Sequence, residues 1–240
     1  MIILTHPAKR PLPSITNSAP NPSTLNPPSS TPYSPEADHN GPQIEHRLSH
    51  PLPQLHHHES YPLPAYSPAT RAIHGKPINA SGRRFIIGLD APMTYCPDVV
   101  PRDSCPPGNI TTVSGLLTGM MVMVPGGQDI YVDPEGLVGF TQAHSASWPA
   151  NSTLMDGFYR TTAKPSSPCE AEPPTDLLDF CDPKNAASEG VYACPYPDIV
   201  GTWVLVAGSA RARAREGDCE RLEGLELHKS EIKLGAWQYT

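Results

Sequence analysis

Six cysteines are the residues whose type and spacing most directly imply chemistry: Cys96, Cys105, Cys169, Cys181, Cys194 and Cys219. Zinc ribbons set two thiolates on one metal through CxxC pairs, and none of these six is so spaced, so disulfides are expected rather than a metal centre. The connectivity stays open at this level. Cys96 with Cys105 would close a short proline-rich loop, and Cys194 with Cys219 would tie two late strands. Cys169 and Cys181 bracket a polar segment that reads as an inserted loop. Three N-x-S/T sequons, starting at Asn79, Asn109 and Asn151, fall in the same region and are candidates for N-glycosylation.

Catalytic chemistry finds less support. An activated serine is commonly announced by GxSxG, which is missing here. Only His74, His144 and His228 follow residue 70, and none belongs to an HExxH pair. His144, among small polar residues after an expected strand, is the most tempting general base. A hydrogen-bonded structural histidine at a strand end is the commoner occupant of such a position. Asp129, Asp133, Glu135 and Asp156 could supply the paired carboxylates of a glycoside hydrolase, yet all four sit where turns ordinarily use acids. The expectation is a chain that is not an enzyme, with no catalytic residue, metal site or cofactor.

Aromatic faces suggest a binding role instead. Trp148, Trp203, Trp237, Tyr131, Phe140 and Tyr239 are of the type that stacks on sugar rings. Trp203 and Trp237 lie on strand-like runs and are assigned to the core. Trp148, beside Pro149 and close to a sequon, is the expected exposed aromatic and the candidate carbohydrate contact.

The elements that must position these residues come from two unlike materials. Fifteen of the 31 prolines and seven of the ten histidines precede Ala69, whereas every cysteine and tryptophan follows Met93. Residues 1–70 have no apolar period of 2 or 3.6 and cannot offset the entropy of ordering, so a disordered Pro/Ser/His-rich segment is expected. Within it, His56-His57-His58 is a polar tract rather than a preformed metal site. Residues 71–240 are expected to form an all-β domain, a disulfide-stabilised sandwich or barrel. Strands are expected near Arg84 to Leu89, Leu116 to Val124, Asp129 to Val132, Leu137 to Gln142 and Gly157 to Thr161. Others are expected near Gly190 to Ala193, Thr202 to Ala207, Leu222 to Leu227 and Lys233 to Tyr239. Arg211-Ala-Arg213-Ala-Arg215 reads as a second exposed insertion.

Charge and hydropathy narrow the partners. Formal net charge is -7 over 240 residues, and residues 71–240 carry 14 Lys+Arg against 20 Asp+Glu, which argues against nucleic acid. No run of about 18 apolar residues could span a bilayer. Cysteines and sequons point to the secretory pathway, whereas the first residues, Met1-Ile-Ile-Leu4 running into Thr5-His6-Pro7, show no export signal. A mispredicted gene start, or a locus that has lost its leader, is the expectation that reconciles the two.

Several segments together resemble the fungal PhiA-type family of cell-wall proteins. They are Arg71-Ala-Ile-His-Gly-Lys-Pro-Ile-Asn-Ala-Ser-Gly82, Tyr95-Cys-Pro97, Cys105-Pro-Pro-Gly-Asn109, Val124-Pro-Gly-Gly-Gln128, Tyr131-Val-Asp-Pro-Glu-Gly136, Gly139-Phe-Thr-Gln-Ala-His-Ser145 and Ala236-Trp-Gln-Tyr-Thr240. The resemblance implies a secreted, wall-associated, noncatalytic β-rich glycoprotein linked to phialide and conidium development and also described as IgE-binding. Wall polysaccharide or wall proteins are the implied partners. A lectin-like module and a host-directed effector or allergen are the alternatives. The Cys169 to Cys181 loop and the Arg211 to Arg215 stretch look extra to the family pattern.

Overall fold

Trp203-Val-Leu-Val-Ala207 has no polar alternation, so a strand built from it must be covered on both faces. In the computed structural model, which describes residues 59–154, 156–163, 174–214 and 218–240, it is. Leu205 and Ala207 enter one apolar cluster while Val204 and Val206 enter another. Arg84-Phe-Ile-Ile87 divides in the same way, with Phe85 and Ile87 on one side and Ile86 on the other. That is the two-residue period of a strand.

In chain order the first strands are β1 (Ser60–Tyr61), β2 (Ala65–Tyr66), β3 (Ile78–Ser81), β4 (Arg84–Ile87), β5 (Thr94–Tyr95) and β6 (Val113–Ser114). They are followed by β7 (Ile130–Val132), β8 (Val138–Phe140), β9 (Thr153–Leu154), β10 (Phe158–Ala163), β11 (Thr175–Asp182) and β12 (Asn185–Glu189). The last are β13 (Val191–Pro195), β14 (Trp203–Ala207), β15 (Glu220–Arg221), β16 (Gly224–Glu226) and β17 (Gln238–Tyr239). A single turn of α-helix, α1 (Ser209–Arg213), separates β14 from β15. Among the described residues no helix is long and apolar enough to cross a membrane.

One sheet has eight strands in the order β15-β13-β14-β4-β8-β7-β9, with β3 also on β4. A second has five, β10-β11-β16-β2, with β12 also on β11. Every ladder between named strands is antiparallel. The fold is all-β, and its core gathers side chains from both sheets: Phe85, Phe140 and Leu205 from the larger, Phe158, Leu178, Phe180 and Leu225 from the smaller. Phe85 meets Phe140 edge-on at 5.7 Å, and Phe158 lies 5.1 Å from Phe180. On the outer face of the larger sheet, Ala212 of α1 packs with Ile86, Leu137 and Val206.

Four expectations are corrected. The domain takes in residues before Arg71, since β1 pairs with β6 and β2 with β16, burying Tyr61, Leu63 and Ala65. Spaced prolines made this stretch look unlike the rest, but alternate Tyr, Leu and Ala side chains are what it contributes. The part of the expected Cys169 to Cys181 loop that is described is strand: β11 is the longest among the described residues and buries Leu177, Leu178 and Phe180, while residues 169–173 lie outside them. Its acids disguised it. Asp179 pairs with Arg221 at 3.0 Å and Asp182 with Arg211 at 2.8 Å, so the charges are matched within the fold. The same contact corrects the second insertion, whose Arg211 and Ala212 belong to α1 and to the packed interior. Finally, Leu116 to Val124 is no continuous strand: Gly115 and Leu117 adopt φ of 42° and 59°, which turn the chain. The segment 1–58, with its histidine tract, lies outside the described residues.

Candidate carbohydrate-contact groove

The groove begins with a hairpin. β3 and β4 are joined through Gly82 and Arg83, which both have positive φ, 58° and 60°, as a two-residue turn with the twist of the strands requires. Arg83 and Arg84 are thereby both exposed at the hairpin end, and neither makes an ion pair or side-chain hydrogen bond among the described residues. Alongside runs the β7–β8 hairpin, where Tyr131 is paired with Gly139. A Cβ at Gly139 would stand 2.9 Å from the Tyr131 ring, so only glycine lets that ring lie across the neighbouring strand.

Asp133 opens the β7–β8 turn, and its Oδ1 accepts a 2.8 Å hydrogen bond from the Leu137 N–H. Burial pushes its carboxyl above the ordinary range, and burial likewise raises the Tyr131 hydroxyl. Trp148 sits on the loop after β8 and is 38% exposed. Pro149 restricts its backbone to extended conformations, and the Ser152 hydroxyl donates to the Pro149 carbonyl at 2.7 Å, holding the loop. Trp148, Tyr131, Arg83, Arg84 and Asp133 together line an open groove of about 430 Å³.

The other sequence candidates scatter. His144 is exposed in a left-handed turn at φ 62°, without the hydrogen bond expected of a structural histidine at a strand end among the described residues. Of the four acids considered for hydrolysis, Asp133 alone lines the groove. No group of three or more His, Cys, Asp or Glu side chains is gathered as a metal site among the described residues. Trp203 and Trp237 are half-buried, and Phe140 and Tyr239 are core residues.

Disulfides join Cys96 to Cys105 and Cys194 to Cys219. Cys181 is half-buried without a partner among the described residues, and Cys169 lies outside them. The sequons are unequal. Asn109 and Asn151 are exposed, whereas Asn79 is 3% exposed. Its Nδ2 donates to the Leu89 carbonyl at 2.7 Å, and its Oδ1 accepts from the Thr111 N–H at 3.3 Å. A glycan on that nitrogen is incompatible with this packing.

Sequence reasoning passed over the residues that do most inside the fold. Gln128 is 2% exposed; its Nε2 donates to the carbonyls of Thr141 and Tyr239 at 2.8 and 3.0 Å, and its Oε1 accepts from the Tyr239 N–H at 2.8 Å. The Tyr239 hydroxyl donates to the Ile110 carbonyl at 2.8 Å and accepts from the Thr112 N–H at 3.0 Å. Both residues stand in motifs that carried the family resemblance, and that was the available signal.

A protein of the fungus Arthroderma benhamiae described as an uncharacterized secreted protein is 36% identical over 179 residues, covering 73% of this chain and 84% of that one. The chain belongs to that protein's family. No family profile matches it, and no solved structure matches it. That relative's description gives a location and no activity, so the groove's chemistry follows from its residues alone.

Proposed function

We propose that this chain is a noncatalytic secreted glycoprotein of the fungal cell wall, acting in wall structure or in phialide and conidium development. The observation that carries this reading is where its motif residues go. Asn79, Gln128 and Tyr239 are committed to hydrogen bonds that close the interior, which supports a shared scaffold rather than a shared reaction centre. Secretion is supported by the description of the Arthroderma relative and by two disulfides, which persist in oxidising compartments. Extracting hyphae into medium, detergent-washed wall and cytosol, then probing each for the protein, tests the reading. Recovery in the wall fraction is expected; recovery from cytosol alone, with free thiols and no glycan, would overturn it.

A lectin-like role is the second reading. It is favoured by the meeting of Trp148 with Tyr131 in one groove.

A further inference from the structure

The groove between the β3–β4 and β7–β8 hairpins differs from the other concave regions in what it leaves unsatisfied. The cleft near Pro62, Ile78 and Ile110 is mainly apolar, and the one at the Cys96–Cys105 loop is lined by Pro97, Pro106, Pro107 and Val100 with Asp98 and Arg102 but no aromatic side chain. Here, by contrast, an exposed indole, a phenol, two guanidinium groups and a carboxylate converge. The Arg83 and Arg84 guanidinium groups and the Tyr131 hydroxyl have no hydrogen-bond partner among the described residues. Asp133 accepts at Oδ1 from the Leu137 N–H on the β7–β8 turn, and its carboxyl lines the groove.

We propose that this groove binds a neutral polysaccharide segment, with a sugar ring stacked on Trp148 and its hydroxyls shared among Arg83, Arg84, Tyr131 and Asp133. The chemistry selects that class in three ways. A sugar ring offers an apolar C–H face suited to an indole, and Trp148 is presented by a loop already held by Pro149 and Ser152. Sugar hydroxyls both donate and accept, so one ring can answer guanidinium donors and a carboxylate acceptor in the same site. The carboxylate of an anionic sugar only accepts hydrogen bonds, so set beside Asp133 in this groove it would offer that carboxyl no donor. The groove is also open at about 430 Å³, which suits a stretch of a long chain passing through better than a small molecule enclosed on all sides.

This inference rests on the wall reading only for the choice of probes, and the two can fail separately: a wall-resident protein need not bind glycan here. The test is isothermal titration of the secreted full chain with a soluble β-glucan hexasaccharide, a chitin hexasaccharide and polygalacturonate. Binding to at least one of the neutral oligosaccharides is expected, weakened about tenfold by Trp148→Ala. Trp148→Phe is expected to retain most of the affinity, and Tyr95→Ala, an exposed aromatic outside the groove, to leave it unchanged. Circular dichroism confirms that each variant is folded. No binding to either neutral oligosaccharide, binding indifferent to Trp148→Ala, or preference for polygalacturonate would each overturn the proposal.

Discussion

Gln128 illustrates how a polar side chain can be structural. It makes three hydrogen bonds from a 2% exposed position and ties the segment before β7 to the last strand of the chain. Replacing it with alanine leaves the Tyr239 N–H and carbonyl buried without those partners, so Gln128→Ala should lower unfolding free energy by about 2–4 kcal/mol in chemical denaturation. Gln142→Ala, at an exposed position, should change it by less than about 0.5 kcal/mol. Asn79 makes the complementary point about modification. Mass spectrometry of tryptic glycopeptides should find Asn79 unoccupied and Asn109 and Asn151 carrying glycan. An occupied Asn79 would contradict the burial described above. The sequon tripeptide is legible in sequence, but whether its amide faces solvent depends on partners at Leu89 and Thr111, which no local pattern announces. Trp148 was legible as an exposed aromatic because Pro149 and the surrounding polar residues already argue against burial.

At the scale of elements, legibility followed apolar runs. Arg84 to Ile87, Ile130 to Val132 and Trp203 to Ala207 were found within a residue or two because their side chains read directly as strand. Thr175–Asp182 was missed because its acids are neutralised by arginines from distant segments, a relation that has no local signature. The β7–β8 turn depends on the same arrangement. Gly136 has φ 83°, and a Cβ there would stand 2.6 Å from the Arg211 Cβ and 2.9 Å from the Ala207 carbonyl oxygen. Gly136→Ala should therefore cost roughly 1–3 kcal/mol, partly by displacing Arg211 from Asp182. Thermal unfolding of Gly136→Ala beside Gly126→Ala separates packing from conformation, since Gly126 also has positive φ but open space around its Cβ. The second variant should lose less.

Across the whole molecule, two sheets share a core built from short strands, and covalent ties supplement it. The chain-entropy argument gives about 3–4 kcal/mol for Cys194–Cys219, 25 residues apart, and about 2–3 kcal/mol for Cys96–Cys105, nine apart. Removing the first pair by Cys194→Ala with Cys219→Ala should accordingly lower the denaturation midpoint more than the matching double change at Cys96 and Cys105. The packing of Cys194 against Ile86 and Val204 adds to that difference. Such ties form where the environment is oxidising, which links the stability of the fold to the compartment in which it is made. The most direct measurement is a non-reducing peptide map of the protein extracted from washed fungal wall. Peptides linked Cys96–Cys105 and Cys194–Cys219, with glycan at Asn109 and Asn151, are expected. Protein absent from wall and medium, with those four cysteines reduced in a cytosolic pool, would contradict that expectation.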